Sequence, residues 1–328
     1  MASTQTPVAL FIFNRPDTTA RVFARIAAAR PSRLFVVADG PRPAVPADAE
    51  ACAATRAITE AVDWPCEVRR DYAPANLGCG RRVASGLDWV FSQVEEATIL
   101  EDDCVPDPSF FPFCEELLDR FRTDERVMAI SGDNFQGGRW RTRYSYYFSA
   151  VPHAWGWATW RRAWQHFDLE MPLWPEIRDG GWLADLFHDR HAARYWTEIF
   201  DAMLQHRIDT WDYQWFFACW AQGGLTVLPS VNLVSNIGFD GRATHTRIPT
   251  PRAMVPTGEM AFPLLHPPYV VRDAQADRRT QRHYFRVKEP HGLAGAPWRL
   301  AGRMSRLLPP AVYRWLRNGV HRVWYGSS

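Results

Sequence analysis

The sequence predicts an α/β fold with a mixed, mostly parallel sheet flanked by helices, and three observations support this class. Residues 8–13 and 34–38 are continuous apolar runs, which are typical of strands covered on both faces. Between them, Val22, Phe23 and Ile26 have the spacing of one helical face. Strand, helix and strand at this separation predict a βαβ unit and therefore parallel pairing of the two strands.

Apolar periodicity and turn residues place the other elements along the chain. We expect Asp17 to cap the first helix, which runs to Ala29. Further helices are expected at residues 45–63, 76–94, 110–122 and 182–206 and from Asp212, and further strands at 66–69, 99–100, 127–131, 146–151, 225–228 and 232–235.

Composition limits the functional classes. The chain has 328 residues, 47% of them hydrophobic, enough for one large domain or two closely packed lobes. A net charge of +2 argues against a nucleic-acid-binding protein. The six cysteines lack metal-site spacing and disulfide density, which favours reduced thiols. With no leader-like N-terminus and no apolar run of membrane-spanning length, a cytoplasmic location is expected.

A carboxylate triplet, Glu101-Asp102-Asp103, directly follows the apolar residues Ile99 and Leu100. Three adjacent acids repel one another unless a cation or hydrogen-bond donors lie nearby. A divalent cation such as Mn²⁺ or Mg²⁺ is one solution, since these ions prefer carboxylate oxygens and share them with substrate phosphates. The alternative is a helix N-terminus that Asp107 caps, with the acids facing the helix dipole.

Other polar residues follow predicted strands or open predicted helices. Arg15 and Asp39 come just after the first two strands, and ligands of open α/β sheets bind at such carboxyl ends. Residues 78–82 contain two glycines and two arginines, among them Arg81, at a helix start. Free amide groups and the helix dipole suit a diphosphate there, although a plain turn with surface arginines is the alternative.

The second half of the chain is rich in tryptophan, with eleven of the sixteen between Trp140 and Trp220. Core packing explains such a concentration, and ring-stacking walls of a sugar- or base-binding cleft are the alternative. Asp212 follows Trp211 at a predicted helix start. It is either an N-cap or a carboxylate in a partly dry pocket, where the pKa rises toward that of a general base.

The order of these features resembles the GT-A glycosyltransferases, most closely those similar to N-acetylglucosaminyltransferase I. The resemblance runs through most of residues 7–246. It is carried by Asn14-Arg15, Asp39-Gly40, Glu101-Asp102-Asp103 before Pro108-Ser109-Phe110-Phe111, Gly156-Trp157, Trp211-Asp212 and the glycine-containing loop at 235–241.

The resemblance implies a metal-dependent inverting enzyme that uses a nucleotide sugar, with a hydroxyl of a glycan or a lipid-linked glycan as acceptor. It assigns a role to each matching residue. Asp103 would bind Mn²⁺ or Mg²⁺, joined by His245 if a late histidine reaches the metal. Asp102 would contact the donor ribose, Glu101 the donor sugar and Asp39 the uracil of a UDP-sugar, while Arg15 would lie near the nucleotide and Asp212 would be the catalytic base.

The residue patterns described above add three further site residues. Arg81, at the glycine-containing helix start, is expected to bind the donor, and Trp157 and Trp211 are expected to form walls of the site.

This pattern predicts a catalytic domain in two halves and a C-terminal tail. Residues 1–290 would form the domain, with the nucleotide-sugar half at about 1–105 and the acceptor half at about 106–290. Residues 291–328 contain six arginines and no acid beside apolar stripes, which predicts amphipathic helices at the inner membrane surface. The alternatives are docking on the body of the protein or a homodimer contact.

Two other functions fit parts of the sequence. A sugar-1-phosphate nucleotidyltransferase shares the architecture, but the N-terminal strand lacks a glycine-rich loop followed by arginine and lysine. A non-catalytic carbohydrate-binding or scaffold protein would use the tryptophan-rich half and retain the acids without chemistry.

Overall fold

The computed structural model describes residues 4–139, 142–239 and 255–287. The described residues up to Phe285 form one compact unit of alternating strands and helices. The strands are β1 (Val8–Ile12), β2 (Arg33–Ala38), β3 (Glu67–Tyr72), β4 (Glu96–Glu101), β5 (Cys104–Pro106), β6 (Val127–Ser131), β7 (Tyr146–Ser149), β8 (Trp157–Trp160), β9 (Leu225–Pro229) and β10 (Val234–Asn236). The helices are α1 (Pro16–Ala29), α2 (Ala47–Ile58), α3 (Cys79–Phe91), α4 (Phe110–Arg120), α5 (Arg161–Trp164), α6 (Trp174–Asp179), α7 (Trp182–Phe187), α8 (Arg190–Leu204), α9 (Asp212–Ala221) and α10 (Ala274–His283).

An eight-stranded mixed sheet has the order β3-β2-β1-β4-β8-β6-β9-β7. Strands β3, β2, β1 and β4 are mutually parallel, and β6 pairs in parallel with β9. Strands β8 and β7 run antiparallel to their neighbours, and β5 and β10 form a separate antiparallel pair. The α/β class and the mixed sheet flanked by helices, both predicted from the sequence, are confirmed.

Helices cover both faces of this sheet, which explains the continuous apolar runs. Along β1, Leu10 and Ile12 enter one core cluster, whereas Ala9 and Phe11 enter the cluster on the opposite face. Successive side chains of a strand point to opposite faces, so a strand covered on both sides is apolar throughout.

Several predicted boundaries are wrong for identifiable reasons. Arg15 rather than Asp17 is the N-cap of α1, because Pro16 already begins the helix. The expected single helix at 182–206 is two helices, since Asp189 caps α8 through the amides of His191 and Ala192. Strand β8 was not predicted as a separate element, and α10 was missed because its ten residues have little apolar character.

Asp107 does not cap α4, although it supports the start of that helix. The N-cap is Ser109, and one Asp107 oxygen accepts from the Ser109 amide at 2.9 Å and its hydroxyl at 2.6 Å. The capping alternative for the acid cluster therefore accounts for Asp107 alone. The triplet needs another explanation.

The sheet topology collects polar loop residues at one edge. Strands β1, β2 and β4 are parallel neighbours, so the residues after Ile12, Ala38 and Glu101 leave the sheet at the same end. Within the described ranges, no helix combines the length and the apolar character needed to cross a bilayer.

A buried ionic network attaches α10 to β7. The carboxylate of Asp277, 2% exposed, accepts from the Ser149 hydroxyl at 2.6 Å, the Ala150 amide at 3.2 Å and Arg272 at 2.6 Å. Removing one partner of such a pair leaves an uncompensated charge inside the protein.

We expect Asp277→Ala to lower the free energy of unfolding by about 3–5 kcal/mol, because Arg272 and two donors lose their acceptor. Urea denaturation followed by tryptophan fluorescence measures the loss. The control is Asp179→Ala, which removes an exposed pair with Arg178 and should cost less than about 1 kcal/mol. Equal losses in the two variants would contradict the network.

Candidate functional site

An ion pair joins the loops that follow β1 and β4. The Arg15 guanidinium donates to Asp102 and lies 2.9 Å from an oxygen of Asp103. The other Asp102 oxygen accepts from the Phe13 amide at 3.1 Å. The structure thus brings Arg15, Asp102 and Asp103 together, as the sequence predicts for residues at neighbouring strand ends.

The triplet is nevertheless not neutralised by one guanidinium. Burial lowers the pKa of Arg15, but the charges of Asp102 and Asp103 outweigh it and raise that pKa above the ordinary value. Burial also raises the pKa of Asp102 and, most strongly, that of Glu101, to which Asp103, Asp102 and Asp212 add. Burial and the neighbouring carboxylates thus both disfavour the charged form of Glu101, and Arg15 offsets them only in part.

Asp103 is held from the side of β10. Its carbonyl accepts from the Ile237 amide at 2.8 Å, and one carboxylate oxygen lies 3.4 Å from the amide nitrogen of Asn236. Gly238 packs directly on this carboxylate, since a Cβ there would lie 2.0 Å from an Asp103 oxygen. The loop after β10 accordingly forms one wall of the acid cluster.

Asp39, at the end of β2, is a buried acceptor for the loop after β3. One of its oxygens accepts from the amides of Gly40 at 2.8 Å and Leu77 at 2.9 Å, and the other accepts from Asn76 at 2.8 Å. Burial raises its pKa, against the effect of these hydrogen bonds. The Gly78 amide acts on the Asp39 pKa in the same direction as these hydrogen bonds, so the loop after β3 supplies most of the donors around this carboxylate.

The N-terminus of α3 differs from the predicted diphosphate site. The Asp209 carboxylate accepts from the amides of Cys79 at 3.1 Å and Gly80 at 2.9 Å, so it already satisfies the free N–H groups of this helix. A Cβ at Gly80 would meet the carbonyl oxygen of Thr210 at 2.8 Å. The predicted phosphate cradle is therefore closed by a protein carboxylate.

The two arginines at this helix start have different positions. Arg82 is buried and donates to the Ala38 carbonyl at 3.2 Å and to Asp71 at 2.7 Å, which ties α3 to β2 and β3. Arg81 is exposed and lines a cavity that also contacts Asp209. Arg81 accordingly faces solvent rather than the blocked helix end.

Asp212 begins α9 and lies within electrostatic reach of the triplet. Its charge contributes to raising the pKa of Glu101. Burial raises the pKa of the Cys79 thiol, and the charges of Glu101 and Asp212 act on it in the same direction. The Thr210 hydroxyl donates to Asp212 at 2.5 Å. Residues from β4, α3 and α9 thus meet at one place.

Trp157 and Trp211 lie in the core. They are 1% and 2% exposed, and their rings stack on each other with centroids 5.4 Å apart. Trp164 and Trp215 complete this cluster beneath α9. The burial supports the core-packing alternative for these tryptophans and places them as the support of Asp212.

The charges of the acid cluster bear on whether it could hold the expected divalent cation. Its carboxylates outnumber its guanidinium. Burial first, and the neighbouring carboxylates second, raise the pKa of Glu101, so a cation beside it would favour its charged form. Among the described residues no group of three or more His, Cys, Asp or Glu side chains could hold a metal. A cation at Asp103 fits if substrate phosphates and water supply its other ligands, as is usual for Mg²⁺.

Two predicted features lie outside the described residues, namely His245 and the tail at 291–328. Other site residues were missed from the sequence: Asp209, Asn76 and Arg82 act through contacts with distant segments. Only Asn76 carried a signal, since it opens the glycine-containing turn before α3.

Fold and site together define an α/β protein with a carboxylate-rich cluster at the C-terminal edge of its parallel strands. No family model matches the chain, and no curated protein matches it significantly.

We expect Glu101→Gln to stabilise the protein at pH 8.5 by on the order of 1 kcal/mol and to have little effect at pH 4.5. The folded-state pKa of Glu101 is raised from 4.5 to about 8. Between these two pH values the unfolded wild-type chain ionises Glu101 while the folded protein keeps it protonated, so the free energy of unfolding falls as the pH rises. The amide variant has no proton to lose at this position and does not show that fall. Urea unfolding at both pH values measures the difference.

The exposed Glu60→Gln serves as the control and should show no such pH dependence. A stabilisation of Glu101→Gln that is equal at both pH values would contradict a charge effect.

Proposed function

We propose that the chain is an inverting glycosyltransferase of the GT-A type, which transfers a sugar from a nucleotide sugar to an acceptor hydroxyl. The observation that carries the proposal is the electrostatic proximity of Glu101–Asp103, at the end of β4, to Asp212, at the start of α9. These segments are far apart in sequence, yet the charge of Asp212 raises the pKa of Glu101. Grouped carboxylates with perturbed pKa values at a strand edge are typical of functional sites.

The first half of the site suits a UDP-sugar. Asp39, directly after β2, is the acceptor that we assign to the N–H of uracil. Asp102, fixed by Arg15 and the Phe13 amide, is the residue that would accept from the ribose hydroxyls. Glu101 favours its protonated form, so it can donate to as well as accept from a sugar hydroxyl.

The chemical step needs a base for the acceptor hydroxyl. Asp212 is only partly buried, and the Thr210 hydroxyl donates to its carboxylate and orients it. Asp212 takes the proton of the acceptor hydroxyl while the acceptor oxygen bonds to the anomeric carbon. The bond from that carbon to the nucleoside diphosphate breaks on the opposite face, which inverts the configuration. General-base assistance of this kind contributes about 10²–10⁴-fold in rate.

The leaving nucleoside diphosphate carries charge that the acids would repel. Asp103 is the residue that would hold Mn²⁺ or Mg²⁺, and a bound cation would offset that charge as a Lewis acid. Arg15 holds Asp103 in place beside Asp102. The predicted contribution of His245 and the predicted contact of residues 291–328 with a membrane, where a lipid-linked acceptor would lie, remain part of this proposal.

A panel of nucleotide sugars with Mn²⁺, Mg²⁺ or EDTA tests the proposal. Release of the nucleoside diphosphate on addition of a saccharide acceptor supports it. Formation of pyrophosphate from a nucleoside triphosphate and a sugar 1-phosphate would replace it with a nucleotidyltransferase. Saccharide binding without turnover of any donor would indicate a carbohydrate-binding protein.

We expect Asp212→Asn to lower kcat about 10²–10⁴-fold and to leave the Kd for UDP within about twofold, because the amide cannot accept the proton. Isothermal titration gives the Kd, and UDP release gives kcat. Asp189→Asn, another acid beside a helix start, is the control and should retain activity. Full activity of Asp212→Asn would remove the proposed base.

We expect UDP at about 100 times its Kd to stabilise the protein by about 2.7 kcal/mol with Mn²⁺ present. EDTA should abolish this stabilisation, and so should Asp103→Ala with Mn²⁺ present, because both remove the cation from the diphosphate. Thermal unfolding measures the shift, and the exposed Asp119→Ala is the control. Stabilisation that persists in EDTA would contradict the cation site.

A further inference from the structure

The segment between α8 and α9 leads directly into the proposed base. Helix α8 ends at Leu204, and α9 begins at Asp212. The chain first turns back on α8, since the Arg207 amide donates to the Ala202 carbonyl at 3.0 Å. Positions 208–211 follow that turn and belong to neither helix. Their place, and with it the position of the base, depends on contacts with other parts of the chain.

Asp209 attaches this segment to the N-terminus of α3. Its two carboxylate oxygens accept from the amides of Cys79 at 3.1 Å and Gly80 at 2.9 Å, across 130 and 129 positions of the sequence. The first amides of a helix have no partner within the helix, and the helix dipole favours a negative charge beside them. The contact is therefore a link between two distant segments rather than a local cap.

Two glycines at the start of α3 make room for this link. A Cβ at Gly78 would lie 2.5 Å from an oxygen of Asp209, and a Cβ at Gly80 would lie 2.8 Å from the carbonyl oxygen of Thr210. Helix α3 is in turn anchored to β2 and β3 through Arg82. The glycines that predicted a phosphate cradle thus allow residues 209 and 210 to pack against a fixed helix.

Thr210 connects this link to the base. Its hydroxyl donates to Asp212 at 2.5 Å. The next residue, Trp211, is 2% exposed and stacks on Trp157. The base is accordingly held by two contacts of the residues just before it, the tryptophan stack and the bond of Asp209 to α3.

We propose that Asp209 is a positioning residue, which holds the first amides of α3 and, through the Thr210 hydroxyl, sets the carboxylate of Asp212 for proton removal. An element of the nucleotide half would then determine the geometry of the base in the acceptor half. The inference rests on the proposed glycosyl transfer for the role of Asp212, whereas the link itself stands on the observed contacts. Asp209 lies at the surface, so its replacement should leave the core intact.

Asp209→Ala and Thr210→Val test the link in the full chain, with kcat from UDP release and the Kd for UDP from titration. We expect each variant to lower kcat at least about tenfold, because a displacement of about 1 Å can cost about 10²-fold in rate. The Kd for UDP should stay within about twofold, since the lost contact acts on the chemical step. Thr210→Ser keeps the hydroxyl and should keep most of the wild-type kcat.

The matched control is Asp189→Ala. Asp189 also accepts from two amides at a helix start, those of His191 and Ala192 on α8. Its loss removes the same kind of contact without touching α3 or the segment before α9, so kcat should not change.

Hydrogen–deuterium exchange measures the link without turnover. We expect residues 78–82 and 208–212 to exchange at least about fivefold faster in Asp209→Ala than in the wild type, because loss of the contact lets both segments open locally. Asp189→Ala should leave both segments unchanged.

A wild-type kcat in Asp209→Ala, beside a lowered kcat in Asp212→Asn, would overturn the inference and leave the proposed transfer standing. A raised Kd for UDP with unchanged kcat would also overturn it, because Asp209 would then act on donor binding. Unchanged exchange in Asp209→Ala would overturn the link itself. A wild-type protein that turns over no nucleotide sugar would refute the transfer, and the role of Asp209 in it.

Discussion

The ion pair between Arg15 and the two aspartates after β4 is the contact on which the site depends. Arg15 stands before α1, and Asp102 and Asp103 follow β4, so the pair fixes two loops that the parallel pairing of β1 and β4 brings side by side. Breaking a buried pair costs far more than the pair contributes to stability. Arg15 therefore fixes the triplet through Asp102 and Asp103, and Glu101 takes no part in this ion pair.

The carboxylate cluster illustrates how a stable fold accommodates a costly site. Glu101, Asp102, Asp103 and Asp212 approach one another against their mutual repulsion, and the sheet supplies the rigidity that makes this tolerable. The buried core clusters on both faces of the sheet, which include the tryptophans stacked beneath α9, supply packing energy that offsets this repulsion. Local destabilisation of this kind is characteristic of sites whose charges are meant for a ligand.

The fold could be predicted from the sequence more completely than the site could. Apolar runs such as β1 and β6 were located closely because burial on both faces leaves no polar residue inside the strand. Helix α10 was not predicted, because few of its residues are apolar and it is held in place by the ionic contacts of Asp277. The acids at the strand ends were predicted because they directly follow apolar runs that mark the strands. Asp209 could not be found, because its partners at α3 are joined to it only by folding.

The contact between Gly80 and Thr210 has an evolutionary consequence. With the Thr210 carbonyl 2.8 Å from where a Cβ would lie, no side chain can appear at position 80 unless the segment before α9 shifts. The two positions must then change together as sequences diverge, or not at all. A relative that acquired alanine at position 80 would be expected to carry a compensating insertion or deletion between α8 and α9, and with it a reshaped cavity.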